Sequence, residues 1–216
     1  MPPSAIKASP ACGPLIRITP IAAGGVATNP DGVGGNAFAS AITVNLTDTG
    51  LSLFGEAAFS STAVGGAGGI NGQGGSANSG AVDVILTNSF GTIQTSQVGI
   101  PGILRVASSA TGGAGASVGN ATSARASLSL ANTVLDVGQL YVESRALSEA
   151  SSAGQVGGSA LSNQARLELS GATELDAALI AISGDARTSL GGSSQGGVAG
   201  LEVISGSPVI VTTGAL

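Results

Sequence analysis

Residues 120–147 read NATSARASLSLANTVLDVGQLYVESRAL, and they are the most informative part of the sequence. Their first half alternates apolar and small polar residues up to Leu130, which is the pattern of a half-buried β-strand. Asn132 follows two positions later, and asparagine tolerates the left-handed backbone angles of a tight corner. A second alternating segment then places Leu140 and Val142 on one face. These residues predict two strands that are joined by a corner.

The same arrangement recurs along the chain at nearly constant intervals. Glycine-rich stretches end 40, 44, 39 and 39 residues apart, at Gly35, Gly75, Gly119, Gly158 and Gly197. An alternating segment follows each stretch and ends on a residue type that suits a corner. The predicted structural corners are Asp48, Asn88, Asn132, Gly171 and Gly206. The chain is therefore predicted to contain about five similar repeats.

Each predicted repeat has an apolar face that it cannot bury alone. In the first strands, the residues predicted to face inward are Ile42, Val44, Leu46, Val82, Val84, Leu86, Leu128, Leu130, Leu167 and Leu169. In the second strands they are Leu51, Leu53, Leu104, Val106, Leu140, Val142, Ile180 and Ile182. Repeats of this kind bury such a face by stacking on one another. We therefore predict an all-β fold, a parallel β-solenoid (β-helix) of about five repeats of 39–44 residues, with the glycine-rich stretches as its third side.

Two features of this fold stay open. Each repeat forms either one rung of the solenoid or two rungs of about 20 residues. A sandwich of hairpins is the competing fold, but the regular repeats and the low aromatic content of 2% favour the solenoid. Helices are not expected, because no apolar stripe with a period near 3.6 persists.

The chain divides into two predicted regions. Residues 1–14 form a Pro-rich N-terminal segment, and residues 15–216 form the solenoid repeat domain. Because the segment lies outside the repeat, we expect it to cap the solenoid or to clasp a neighbouring subunit. It contains Cys12, the single cysteine, which either links two subunits or stays a reduced, buried thiol.

The composition excludes several classes of function. The chain has no histidine, so catalytic triads of the Ser-His-Asp and Cys-His types cannot form. One cysteine cannot make a zinc site alone, and the glycine-rich stretches lack the GxxxxGK[ST] pattern, so no metal or cofactor is predicted. The net charge of −5 disfavours nucleic acid and anionic lipid, and no apolar run is long enough for membrane insertion. With 43% hydrophobic and 9% charged residues, the chain is expected to fold.

Two alternative functions follow from polar residues. Asp136 and Asp176 would stack as neighbours, so a polysaccharide-acting lyase or hydrolase is one alternative. Aromatic residues that could stack on a sugar are scarce, and we expect no enzymatic activity. An ice-binding solenoid is the other alternative, since it would carry a regular threonine array. The pair Thr47 and Thr49 has no counterpart in LANT or LSGA of later repeats, which argues against such an array.

A resemblance to a known family rests on LYVESRAL, residues 140–147, and on the following SEASSAGQVGGSA, residues 148–160. These segments resemble the repeats of large bacterial surface proteins, the filamentous-haemagglutinin-like and autotransporter-type β-helical adhesins. The resemblance extends over about residues 15–213 and is one of composition and period. It implies a bacterial protein with a structural role at the cell surface or in a biofilm matrix. The secretion domain and translocator of such adhesins are missing, so we expect either a fragment or an independent short subunit.

The two ends of the predicted solenoid carry strand-like sequence, LIRITPI at residues 15–21 and PVIVTTGAL at residues 208–216. Unpaired strand edges bind further strands, and two different ends can pair head-to-tail without closing. We therefore expect a non-enzymatic extracellular structural protein, either a self-assembling fibre subunit or a section of adhesin stalk. Its predicted partner is a second copy of itself, and cell-surface or matrix polysaccharide stays open as another.

Overall fold

A computed structural model describes residues 4–7, 16–94, 101–148, 155–189 and 191–212. Within these residues the chain forms twenty β-strands and no helix. In chain order the strands are β1 (Ser4–Lys7), β2 (Ile16–Ile18), β3 (Ile21–Ala23), β4 (Ala37–Phe38), β5 (Ile42–Thr47), β6 (Thr49–Phe54), β7 (Glu56–Val64), β8 (Ala77–Asn78), β9 (Val82–Thr87), β10 (Phe90–Gln94), β11 (Ile103–Thr111), β12 (Ala121–Thr122), β13 (Ala126–Ala131), β14 (Val134–Ser148), β15 (Ala160–Leu161), β16 (Ala165–Gly171), β17 (Glu174–Thr188), β18 (Ser194–Gln195), β19 (Ala199–Gly206) and β20 (Val209–Thr212).

The strands form three sheets, in which every described pairing is parallel. Sheet A contains β1, β2, β3, β6, β7, β10, β11, β14, β17 and β20. Sheet B contains β4, β8, β12, β15 and β18, and sheet C contains β5, β9, β13, β16 and β19. Neighbouring strands in a sheet come from successive repeats, so the chain coils around one axis. The predicted parallel β-solenoid is confirmed, and it has about four turns.

One repeat forms one turn of the solenoid. Leu128 in β13 pairs with Val84, 44 residues earlier, and with Leu167, 39 residues later. These intervals equal the spacing of the glycine-rich stretches, so each repeat is a single rung. A turn consists of a short sheet B strand, a sheet C strand, a corner, one or two sheet A strands and a glycine-rich segment.

Sheet A has two parts in each turn, which are separate strands in some turns and one strand in others. Gly55, with a φ of 95°, separates β6 from β7, and residues 95–102 separate β10 from β11. In the third and fourth turns, β14 and β17 run through both parts without interruption. Within each part, the pairing with the next turn nevertheless keeps one register along the whole strand.

This division corrects the alignment of the second strands. Leu51 pairs with Gly91 in the first part of sheet A, whereas Leu104 pairs with Ala57 in the second part. Leu51 and Leu104 are both buried, but they belong to different columns of side chains. The sequence pattern did not separate the two parts, because both alternate with a period of two.

The interior consists of columns of aliphatic side chains that stack from turn to turn. Val44, Leu46 and Ile182 are half-buried, and each lies in a strand segment with a described neighbour on one side only. Burying one aliphatic side chain fully contributes about 1.5 to 3 kcal/mol, so these columns supply much of the stability. The other residues that are predicted to face inward are at most 6% exposed, namely Ile42, Leu51, Leu53, Val82, Val84, Leu86, Leu104, Val106, Leu128, Leu130, Leu140, Val142, Leu167, Leu169 and Ile180.

A second, narrower column consists of alanines. It lies where the end of each long sheet A strand faces the short strands of sheet B, and it contains Ala37, Ala63, Ala77, Ala110, Ala121, Ala146 and Ala160. Only small side chains fit where two strands approach this closely. The high alanine content of the sequence therefore reflects the narrow cross-section of the solenoid.

Candidate functional site

The five predicted corner residues all lie at the junction between sheets C and A, and all have positive φ angles. Those angles are 51° at Asp48, 48° at Asn88, 48° at Asn132, 66° at Gly171 and 87° at Gly206. Glycine, asparagine and aspartate adopt this left-handed region at the lowest cost. The chain therefore turns the same corner in the same way once per turn.

Side-chain amides connect these corners along the axis. The Nδ2 of Asn132 donates to the Oδ1 of Asn88 at 3.2 Å. The main-chain N–H of Ala172 donates to the Oδ1 of Asn132 at 3.0 Å. Asn132 is therefore hydrogen-bonded to the preceding turn and to the following turn. The corners, like the strands, form a hydrogen-bonded column along the axis.

A column of buried hydroxyl groups lies one or two residues beyond the corners, and sequence reasoning missed it. Ser89, Thr133 and Thr173 are at most 5% exposed. The hydroxyl of Thr133 lies 2.9 Å from the carbonyl oxygen of Ala131 and 3.1 Å from that of Leu86 in the previous turn. The signal was visible in the sequence, because a serine or threonine follows the corner in LTDT, LTNS, LANT and, one residue later, LSGAT.

A third polar column consists of serines in sheet A whose hydroxyl groups bond to the bend between sheets B and C. Ser61, Ser108 and Ser144 are fully buried, and each bridges two backbone groups that do not meet directly. Ser108 donates to the carbonyl of Gly80 at 3.0 Å and accepts from the N–H of Ala124 at 3.1 Å. A buried backbone group without a partner is costly, so these serines complete the hydrogen bonding of the bend.

The glycine-rich side is held together by the backbone itself. Hydrogen bonds of 2.7 to 2.9 Å connect successive glycines along the axis, from Gly119 to Gly113, Gly75, Gly66, Gly35 and Gly25. A Cβ atom on Gly75 would overlap the carbonyl oxygen of Gly35. Glycine is required here because the backbones of the glycine-rich segments in neighbouring turns are in direct contact, which leaves no space for a side chain.

Among the described residues, four ion pairs on the outer surface join neighbouring turns. The guanidinium of Arg125 donates to both carboxylate oxygens of Asp83, at 2.8 and 2.7 Å, and Ser127 donates to Asp83 at 2.5 Å. Partial burial raises the pKa of Asp83, but the hydrogen bonds from Arg125 and Ser127 outweigh that effect and hold it below its usual value. The same contact raises the pKa of Arg125.

The candidate catalytic carboxylates are neighbours on an exposed strand face. Asp136 in β14 and Asp176 in β17 are register partners, as the repeat spacing predicts. They line a shallow depression together with Gln94. A glycosidase needs two carboxyl groups on opposite sides of a bound sugar, whereas these two project from adjacent strands of one sheet. Among the described residues, no group of three or more acidic or cysteine side chains could hold a metal ion.

The threonine face that ice binding would require is irregular. Thr47 in β5 stacks on Thr87 in β9, but the next positions in this column are Ala131 and Ser170. Thr49 belongs to the neighbouring strand beyond the corner. The structure therefore places no repeated Thr-x-Thr pair on this part of sheet C.

The C-terminal end of the described solenoid exposes its interior. Leu201 and Val203 in β19 are 44% and 51% exposed, whereas Leu167 and Leu169, which precede them in the same columns, are fully buried. In the described chain, β19 has a neighbour on one side only, and residues 179–188 of β17 pair with β14 alone. A bulge at Ile204 disturbs only the last residues of β19.

The opposite end exposes different strands. β1, β2 and β3 are the outermost described strands of sheet A at this end, and β4 and β5 are the first described strands of sheets B and C. Within the described residues, the outermost strands at each end therefore have one edge without a strand partner. The rest of the predicted N-terminal segment, including Cys12, lies outside the described residues.

Comparisons with known proteins add no family. No protein-family model, curated protein or solved structure matches the chain significantly. The described part of the chain contains no helix of the length and apolarity that a membrane crossing needs.

Proposed function

We propose that this chain is a non-enzymatic, extracellular structural protein whose copies stack head-to-tail into a stiff fibre. The observation that carries the proposal is the open C-terminal end, where the interior columns continue into solvent at Leu201 and Val203. Exposed apolar columns and unpaired strand edges together favour the addition of another turn. The two ends are different surfaces, so their pairing repeats without closing.

The internal columns explain why such a fibre would be stiff. Strands, corners, buried hydroxyls and glycines all bond along the axis from one turn to the next. A junction that continues these columns would have the same bonding as the interior of one subunit. The resemblance to β-helical adhesin repeats supports the same class of role, with a section of cell-surface stalk as the alternative arrangement.

Electron microscopy of the purified chain tests this function. We expect long, unbranched filaments of the width of one solenoid, whose fibre diffraction has a reflection at about 4.8 Å along the axis. Short rods of one size would support the stalk instead of the fibre. Compact particles without a long axis would contradict both.

A charge placed in the open column should prevent stacking. Leu201→Lys leaves the lysine accessible to water in a single copy, because Leu201 is 44% exposed there. In a filament the same lysine would be buried without a partner, which is strongly unfavourable. We expect the variant to keep its β-sheet circular dichroism and to lose filaments by sedimentation and microscopy.

The matched control is Val198→Lys. Val198 is 68% exposed and precedes β19, so a lysine at this position adds the same charge outside the column that contains Leu201. This variant should assemble like the original chain. Unchanged assembly of Leu201→Lys would show that the C-terminal end is not the contact.

A further inference from the structure

The sides of the solenoid do not contain equal numbers of strands. Sheets B and C each have five strands, and the second part of sheet A has five levels, formed by β2 with β3, β7, β11, β14 and β17. The first part of sheet A has six levels in the described chain, formed by β1, β6, β10, β14, β17 and β20. One side therefore has one strand more than the others.

This inequality matters when one copy is stacked on another. If a second copy is displaced by five levels, its strands continue sheets B and C and the second part of sheet A without gap or overlap. In the first part of sheet A, however, β20 of one copy and β1 of the next fall on the same level. A continuous filament has room for only one of them.

The register shows that β1 and β20 occupy equivalent positions. Ile6 in β1 pairs with Leu51, and Ile210 in β20 pairs with Leu175. Leu51 and Leu175 belong to one column, which runs through Gly91 and Leu135. Either strand therefore fits beside β6 with the same alignment.

Resting on the proposed function, we infer that β20 of one copy replaces β1 beside β6 of the next copy. In the filament β20 would have two neighbours, β17 of its own copy and β6 of the next. β1 has one described neighbour, β6. The sequence VIVT of β20 consists of residues enriched in strands, whereas SAIK of β1 includes alanine and lysine, which are depleted there. β1 thus covers the edge of β6 in a single copy, and it leaves this edge when β20 of another copy binds there.

The other columns match across the same junction. In the second part of sheet A, Ile16 of the next copy would continue the column of Ile180, and Ala22 would continue that of Ala186. In sheet C, Val44 of the next copy would continue the column of Leu201. Apolar residues therefore meet apolar residues, which is why a second copy is the occupant that this end fits.

Cysteine pairs can detect this exchange in a Cys12→Ser background. Ser52 in β6 and Val211 in β20 are exposed positions of one column, at the first and fifth strand levels after β1. Within one copy they are about 19 Å apart, which no disulfide can bridge, whereas across the junction they would be adjacent. Oxidation of Ser52→Cys/Val211→Cys should give a ladder of covalent oligomers on a non-reducing gel.

A second cysteine pair distinguishes the replacement of β1 by β20 from stacking of the copies alone. Arg17 and Ala181 share a column in the second part of sheet A, so Arg17→Cys/Ala181→Cys should cross-link whenever copies stack in this register. Thr92→Cys/Val211→Cys is the negative control, because Thr92 already has strands on both sides. Cross-linking of the first two pairs and not of the control supports the inference.

The remaining outcomes overturn it in distinguishable ways. Cross-linking of Arg17→Cys/Ala181→Cys without Ser52→Cys/Val211→Cys would mean that copies stack but that β20 is the displaced strand. The absence of both cross-links and of filaments would reject the proposed function as well. Microscopy gives an independent measure, because the axial rise per subunit should be about 24 Å for five levels and about 29 Å if both strands were kept.

Deletion of residues 1–7 tests the role of β1 directly. If β1 covers the edge of β6, its removal should shorten the lag before filament growth several-fold. A longer lag, or the loss of filaments, would show that β1 is part of the contact and would contradict the inference.

Discussion

At the scale of single residues, the backbone angle of each corner decides which side chains are acceptable. The corners differ in chemistry, since Asp48, Asn88 and Asn132 are polar whereas Gly171 and Gly206 have no side chain. They share a left-handed conformation, which costs a β-branched residue about 1 to 3 kcal/mol. The sequence revealed these positions because few residue types tolerate that conformation.

Gly171→Val should disrupt the fourth corner. The φ of 66° is unfavourable for valine. The added Cβ would also overlap the Oδ1 of Asn132, which accepts a hydrogen bond from the N–H of Ala172. We expect a loss of at least about 2 kcal/mol in the free energy of unfolding, measured by urea denaturation below the concentration at which copies associate.

Gly200→Val is the control for that substitution. Gly200 lies in β19, and a Cβ there would meet nothing within 4 Å. Valine suits a strand, so the stability should change by less than about 0.5 kcal/mol. Equal stability of the two variants would mean that the corner does not need a glycine.

At the scale of strands, contacts between turns matter more than contacts within a turn. Asp83 in β9 and the neighbouring Arg125 join the second and third turns, as do Arg105 and Glu143 at 3.5 Å. These pairs lie on the surface, so each contributes at most about 1 kcal/mol. Their value is in fixing the register of adjacent strands.

Asp83→Asn should weaken the acid sensitivity of the fold. The pKa of Asp83 is lowered in the folded state, so its stabilising contribution is present above the unfolded value of about 3.9 and is lost as the pH falls through the folded value. We expect the variant to be less stable by up to about 1 kcal/mol at pH 7. Below pH 4 the difference should shrink, as followed by denaturation at several pH values.

Arg125→Gln is the matched variant on the other side of this pair. It removes the two hydrogen bonds to Asp83 and should flatten the acid response in the same way. If Asp83→Asn lost stability with acid as steeply as the original chain, the pair would not be the cause.

The polar columns show where sequence reasoning stops. The alternation with a period of two, the corners and the glycine-rich side could be predicted. Each of these features requires particular residue types at regular positions, so it leaves a pattern in the sequence. Ser61, Ser108 and Ser144 could not be singled out, because serine is common throughout the chain and a bend that needs a bridging hydroxyl leaves no pattern of its own. The sequence pattern did not separate the two parts of sheet A for a related reason, because apolar and polar residues alternate in the same way in both parts.

At the scale of the whole molecule, position along the axis decides the energetic weight of a residue. In a stacked array each turn is stabilised by its neighbours, so an end turn has half of the contacts of a middle turn. Leu128 and Leu201 share one column, yet Leu128 is fully buried and Leu201 is 44% exposed.

Replacing each of these leucines by alanine measures that difference directly. Leu128→Ala should cost about 2 to 5 kcal/mol, because it leaves a cavity between two turns. Leu201→Ala should cost only about 1 kcal/mol in the single copy, since half of its surface is already in water. Urea denaturation of the two variants gives the comparison, and equal losses would mean that the end is covered in solution.

The junction inside sheet A has a consequence for how this molecule can diversify. Nine residues connect Ile93 to Ile103 in the second turn, whereas Gly138 alone connects the equivalent positions in the third, and both turns close in the same register. The register of the flanking strands is therefore compatible with connections of different length at this point. A peptide inserted beside Gly138 should therefore leave the register of β14 against its neighbouring strands unchanged.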